Sequence, residues 1–88
     1  LVRGIAEEEL QLDRLISDNL AENWRLERID KVVHAILRAG TYELSVIKKT
    51  PTKVILNEYI DLTHAFFDAK EASFVNGILD NIAKQVRE

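Results

Sequence analysis

The chain has 88 residues, a net charge of −3 at pH 7 and no cysteine; 47% of its residues are hydrophobic and 31% are charged. This describes one small globular domain without disulfides or cysteine-ligated zinc. No apolar run reaches the ~18 residues of a membrane span and no signal peptide is visible, so we expect a cytoplasmic protein, and the negative charge argues against nonspecific RNA binding over its whole surface.

Two helices are predicted in the first half of the chain. The first carries apolar residues at helical spacing after an acidic run, residues 7–9, that suits a helix N-terminus: Leu12, Leu15, Ile16 and Leu20. A break is predicted around Asn23-Trp24, and we interpret Trp24, the only tryptophan, as a core anchor that closes the bundle. The second helix is predicted from about Leu26 to Leu44, with the apolar face Ile29, Val32, Val33, Ile36, Leu37 and Gly40.

Two further helices are predicted in the second half. Thr50 is the expected N-cap of the third, with Pro51 as its first helical residue. Its apolar residues cover a wide arc, which predicts burial on more than one face: Val54, Ile55, Leu56, Tyr59, Ile60, Leu62, Phe66 and Phe67. The fourth helix is predicted to open at Asp68, with Glu71 completing a capping box. We therefore predict an all-α bundle of four or five helices.

An Asn-Gly pair, normally a turn signal, lies inside the fourth helical run. The apolar residues around it keep helical spacing: Val75, Ile78, Leu79, Ile82 and Val86. Glycine weakens a helix interior by about 1 kcal/mol relative to alanine. We therefore predict that Gly77 permits close approach of another backbone or a ligand, and that the Asn76 amide hydrogen-bonds a neighbour.

No group of residues points to catalysis, so we expect a protein that is not an enzyme and has no cofactor. Asp61 and His64 share a helix face, but a zinc site needs three or four ligands, and we interpret that face as solvated, without a metal. The serines lack a paired base, and the three glycines do not form a phosphate-binding loop.

Several polar residues have more than one interpretation. The side of the second helix opposite its apolar face carries Lys31, His34, Arg38 and Tyr42. This polar side is either a solvated face, a dock for a missing N-terminal half, or a surface for a partner protein or RNA. Glu43 lies nearer the apolar side and needs a partner, either the N–H groups that begin the Pro51 helix or a cation. Glu58 is predicted to join a structural ion pair.

Phe74 also has two interpretations, since its ring either packs in the core or stacks on an RNA base. Lys70 and Ser73 lie close to it at a helix start, where phosphate binds readily. Asp68 and Glu71 oppose that binding with negative charge.

Residues 74–80, FVNGILD, resemble the C-terminal signature of the NusB family of bacterial transcription antitermination factors. Further pieces match in the family's order: Trp24, Ile36-Leu37-Arg38, Tyr42-Glu43-Leu44 and residues 51–58, PTKVILNE. The opening LVRGI resembles the end of an earlier family helix. The family also has an Arg-rich N-terminal half that this chain lacks, so we expect residues 1–88 to form a single helical domain that is a fragment of a longer NusB-like protein.

The resemblance implies a non-enzymatic factor that binds a small-subunit ribosomal protein (NusE) and boxA RNA. Through them it would act on the RNA polymerase elongation complex and promote read-through, notably of ribosomal RNA operons. The implied RNA contacts are Lys70, Ser73 and Phe74, and the implied protein-partner surface is Lys31, His34, Arg38 and Tyr42. Two alternatives stay open: an RNA-positioning domain of a ribosomal RNA cytosine methyltransferase, and a helical module that self-associates, for example as a homodimer.

Overall fold

The computed structural model describes the backbone of residues 2–20 and 29–87, and the side chains of 10–20 and 29–87. Four helices make up this part of the chain: α1 Val2–Asp18, α2 Lys31–Val46, α3 Thr52–Phe66 and α4 Ala69–Arg87. The all-α prediction is confirmed, and four helices of the predicted four or five lie within the described residues. Trp24 and the predicted break beside it lie outside the described residues.

The core lies where α2, α3 and α4 pack against one another. Its fully buried apolar side chains come from all three helices: Leu37, Leu44, Ile55, Val75, Leu79 and Ile82. Helix α1 packs chiefly on α2 and contributes Ile16, which is also fully buried. The fold is therefore a three-helix core with a fourth helix laid along one side of it.

Helix α2 begins at Lys31, five residues after its predicted start at Leu26. Asp30 sets this boundary, because its Oδ1 accepts a hydrogen bond from Val32 N at 2.8 Å. The predicted apolar face is buried except at Val32, which is 43% exposed and points away from the core. That assignment was wrong because Val32 lies about 100° around the helix from Val33.

Helix α3 begins one residue later than predicted. Pro51 is its N-cap and Thr52 its first residue, so Thr50 is not the cap. The predicted wide burial is found in part: the buried side chains form the stripe Ile55, Tyr59 and Thr63, and Leu56 and Phe67 beside it are partly buried against the core. Val54, Leu62 and Phe66 are exposed. Helix α3 packs against α2 and α4, and the apolar residues on its remaining side face solvent.

Helix α4 begins at Ala69, directly after Asp68. Glu71 Oε2 accepts from Asp68 N at 3.2 Å, which is one half of the predicted capping box. The buried face agrees with the predicted apolar residues from Val75 to Ile82.

The site of close helix approach is Gly40, not Gly77. An ideal Cβ built on Gly40 would lie 2.8 Å from Leu79 Cδ1, whereas one built on Gly77 meets nothing within 4 Å. Gly77 lies on the solvent side of α4, so the predicted approach of another backbone is not found among the described residues, and approach of a ligand stays a prediction. Asn76 is exposed as well, and its amide has no hydrogen bond to another described residue.

Candidate functional site

A cluster of three charged or ionisable side chains joins α1 to α2. Arg38 donates from Nε to Asp13 Oδ1 at 2.8 Å and from Nη2 to Asp13 Oδ2 at 2.7 Å, a bidentate pair. His34 Nε2 lies 2.7 Å from Asp13 Oδ1. The hydrogen bond from Arg38 is the main reason that the pKa of the Asp13 carboxyl is lowered; burial opposes the shift and His34 adds to it.

This cluster changes the interpretation of the predicted partner surface. His34 and Arg38 are half-buried and bind α1 of the same chain, so they are not a freely solvated face, and their docking of a further segment stays a prediction. Lys31 and Tyr42 are exposed on the outward side of α2. Of the four residues, the structure thus leaves these two on an open surface and commits the other two to internal contacts.

The outward side of α2 carries an apolar stripe that the sequence analysis did not recognise. We call it the α2 stripe, and its members are all exposed: Val32, Ala35, Ala39, Tyr42 and Val46. They are spaced alternately three and four residues apart, which is the spacing of a helix-packing seam. A groove of about 530 Å³ runs beside the stripe, with Leu12 of α1 and Tyr59 of α3 among its lining residues.

Glu43 borders the same groove and has a structural partner that was not predicted. The Tyr59 hydroxyl donates to Glu43 Oε1 at 2.8 Å. Burial, with Glu43 as the next cause, raises the pKa of the Tyr59 phenol. The partner of Glu43 is therefore a tyrosine of α3, and not a helix start or a cation. Glu58 is exposed and its predicted ion pair is not found among the described residues.

The predicted RNA contacts lie at the start of α4. Lys70 and Ser73 are exposed, while Phe74 is half-buried and packs against the hydrophobic core. Beside them is a half-open cavity of about 310 Å³, lined by Ile29, Asp30, Val33, Phe67, Lys70, Glu71 and Phe74. Phe74 therefore packs partly in the core, as one of its two interpretations predicted, and its stacking on an RNA base stays a prediction.

The part of the chain that the structure describes contains neither a candidate metal site nor a helix that could span a membrane. Asp61 and His64 are exposed, and no group of three potential ligands occurs within residues 10–20 and 29–87. None of the four described helices is both long enough and apolar enough to cross a bilayer.

Comparison with known proteins identifies relatives of this chain. The family model described as "NusB family" matches residues 1–84. The chain belongs to the NusB family. Among its relatives, the transcription antitermination protein NusB of Rhizobium rhizogenes is 49% identical over 87 residues, which are 99% of this chain and 54% of that protein. The protein of the same name from Caulobacter vibrioides is 42% identical over 88 residues, 100% of this chain and 59% of that protein.

A solved structure supports the same assignment. The structure of T. maritima NusB matches with a TM-score of 0.85 and 42% sequence identity, covering 96% of this chain and 58% of that one. The NusB relatives are named for transcription antitermination and not for a catalysed reaction. The chain spans about half the length of the curated relatives that it matches.

Sequence spacing did not predict the side-chain pairs that join separate helices. Asp13 lies 21 residues from His34 and 25 from Arg38, and Glu43 lies 16 from Tyr59. The four-residue spacing of His34 and Arg38 was a usable signal, because it places both on one helix face. Which acid meets them depends on how α1 and α2 are aligned, and local spacing does not specify that alignment.

Proposed function

We propose that this NusB-family chain acts in transcription antitermination by binding a small-subunit ribosomal protein (NusE) and boxA RNA. The RNA polymerase elongation complex would then read through terminators, notably in ribosomal RNA operons, in the bacterial cytoplasm. The observation that carries the proposal is the NusB match over residues 1–84. The names of the relatives described above favour this role over that of a ribosomal RNA methyltransferase domain.

The α2 stripe supports a protein contact on the outward side of α2. Exposed apolar side chains that lie in a row are typical of protein–protein interfaces. Val32, Tyr42 and Val46 supply the larger apolar side chains, and Ala35 and Ala39 leave room for a partner to come close to the helix. Lys31 lies at the start of the same side and adds a cation. We assign the ribosomal protein to this surface.

The start of α4 supports an RNA contact. Lys70 and Ser73 are exposed there, so an ammonium group and a hydroxyl are available to phosphate. Phe74 stands at the edge of the neighbouring cavity and would present part of its ring to a base. We assign boxA RNA to these three residues.

Binding measurements on two variants test the protein contact. Ala39→Glu places a charge in the middle of the α2 stripe, and Ala65→Glu makes the same change at an exposed alanine of α3. We expect Ala39→Glu to weaken NusE binding at least tenfold in a titration, while Ala65→Glu binds like the wild type. Equal NusE affinity of the two variants would contradict the assignment of this surface.

RNA anisotropy and sedimentation velocity separate the remaining alternatives. We expect Lys70→Gln to weaken boxA binding severalfold, with no effect on binding of NusE alone. A wild-type chain that binds neither NusE nor boxA RNA but sediments as a dimer would favour the self-association module. If Ala39→Glu then returned that dimer to a monomer, the α2 stripe would be its interface.

A further inference from the structure

Positive charge is concentrated at one end of the helical bundle. Five of the chain's 12 lysines and arginines lie in two short segments: Lys48, Lys49, Lys53, Lys84 and Arg87. Residues 44–57 and 81–87 contain no aspartate or glutamate. We call these five residues the basic end; its charge contrasts with the net −3 of the whole chain.

Hydrogen bonds hold the two segments together in space. Arg87 donates from Nη2 to Ile47 O at 2.8 Å and from Nη1 to Thr50 O at 2.7 Å. Lys48 Nζ donates to Val86 O at 2.9 Å. The end of α4 is therefore fastened to the connector between α2 and α3. An open groove of about 600 Å³ lies at this junction, lined by Lys48, Pro51, Thr52, Val86 and Arg87.

Among the described residues, only one of these five cations forms a salt bridge. Arg87 and Lys48 bind backbone carbonyl groups, which carry no full negative charge. Lys84 lies 3.5 Å from Asp80 in an exposed pair, and such pairs are weak and readily exchanged. Lys49 and Lys53 are exposed and form no salt bridge with any residue that the structure describes.

We propose that the basic end binds the phosphate backbone of single-stranded RNA, as a contact separate from the boxA contact at the start of α4. Within its five residues there is no aromatic side chain on which a base would stack, so the contact is to phosphate and does not depend on sequence. Lys70 and Arg87 are 17 residues apart along α4, which corresponds to about 25 Å at the rise of an α-helix. The two contacts therefore touch different nucleotides, and the second one extends the RNA path along the molecule.

The test compares two variants of equal net charge in the whole 88-residue chain. Lys49→Gln combined with Lys53→Gln removes two positive charges from the basic end. Arg14→Glu changes the net charge by the same amount at an exposed position of α1. The probe is a fluorescein-labelled 20-nucleotide oligouridylate without a boxA sequence, followed by anisotropy at two salt concentrations, and thermal unfolding confirms that both variants are folded.

We expect the double variant to bind oligouridylate at least fivefold more weakly than Arg14→Glu at the lower salt concentration. The slope of log affinity against log salt should fall by about 1.4, because each phosphate contact on a single strand contributes ~0.7. Its preference for boxA over oligouridylate should persist, since Lys70 and Phe74 are unchanged. If the wild type shows no preference for boxA over oligouridylate, that result counts against the proposed function and not against the basic end.

Three results would overturn the proposal. The first is equal oligouridylate affinity of the double variant and Arg14→Glu. The second is no measurable oligouridylate binding by the wild type. The third is that polyglutamate displaces the labelled RNA as effectively as unlabelled RNA of equal charge does. That result would identify the basic end as a site for acidic protein segments.

Discussion

At the scale of single residues, Gly40 of α2 and Gly77 of α4 have opposite surroundings. Gly40 is buried against Leu79, a side chain that is itself fully buried. Gly77 faces open space on α4. Both cost their helices the same conformational entropy, but only Gly40 is needed for packing within the described fold.

Gly77→Ala and Gly40→Ala form a matched pair. We expect Gly77→Ala to stabilise the fold by up to about 1 kcal/mol, from helix propensity alone. Gly40→Ala gains the same propensity but adds a methyl group 2.8 Å from Leu79 Cδ1, and overpacking costs ~1–3 kcal/mol. Denaturant unfolding should therefore give Gly40→Ala a free energy of unfolding ~1–3 kcal/mol lower than that of Gly77→Ala. Equal free energies of unfolding would mean that Leu79 moves aside without cost.

Two fully buried threonines provide a second residue-scale prediction. Thr63 Oγ1 donates to Tyr59 O at 2.7 Å, whereas Thr41 Oγ1 has no hydrogen-bond partner among the described residues. We expect Thr63→Val to lose about 1 kcal/mol of unfolding free energy, since it removes a hydrogen bond. Thr41→Val removes an unsatisfied hydroxyl of the same size and should be neutral or stabilising. Thermal unfolding of the two variants checks this order; a destabilised Thr41→Val would reveal a partner for that hydroxyl.

At the scale of helices, α1 differs from the other three in how it is held. Helices α2, α3 and α4 bury apolar stripes against one another, while α1 relies on Ile16 and on the bonds of Asp13 to His34 and Arg38. Part of what attaches α1 is thus electrostatic, so its attachment depends on the ionisation of Asp13.

The pH dependence of stability should reveal that attachment. The pKa of Asp13 is lower in the folded chain than its ordinary value of 3.8, so the unfolded state binds more protons and stability rises with pH in this range. The contribution is fully present above about pH 4 and is lost as the pH falls through the folded value. We expect Asp13→Asn to show a smaller loss between pH 5 and pH 3 than the wild type, measured by urea unfolding. Asp61→Asn, at an exposed position of α3, serves as the control and should follow the wild-type curve.

How far the sequence predicts the fold also differs from helix to helix. The buried face of α4 follows from periodicity, and so does that of α2 except at Val32, which belongs to the exposed α2 stripe. In α3, Val54, Leu62 and Phe66 are as apolar as the buried Ile55, and spacing alone does not say which of them meets a neighbour. The bonds of Asp13 and of Tyr59 depend on the alignment of separate helices, which only the packed structure supplies.

At the scale of the whole molecule, Arg87 makes more side-chain hydrogen bonds to other elements than any other described residue. Its guanidinium donates to Leu44 O and Ile47 O at the end of α2 and to Thr50 O and Thr52 Oγ1 at the start of α3. A cation is favourable at these carbonyl groups because the C-terminal end of a helix is partly negative. Arg87 lies beyond residue 84, where the match to the family model ends.

We expect Arg87→Lys to destabilise the whole bundle by about 1–3 kcal/mol, although it keeps the charge. A lysine ammonium lacks the planar fork that reaches several carbonyl groups at once, and half-buried acceptors would lose their donors. Lys84→Gln, which alters an exposed side chain of the same helix, should change stability by no more than about 0.5 kcal/mol. Urea unfolding measures both; an Arg87→Lys variant as stable as Lys84→Gln would show that charge alone suffices.

The exposed α2 stripe lies on the same helix as the buried core residues, and the two sets alternate along it. Selection would therefore act on α2 through two separate traits. Charged substitutions at Val33, Ile36, Leu37, Gly40 or Leu44 should lower the amount of folded protein in cells, since these side chains are buried. The same substitutions at the stripe positions should leave that amount unchanged and impair growth only where a binding partner is required. In a mutational scan, α2 would show two interleaved tolerance patterns, one in abundance and one in fitness.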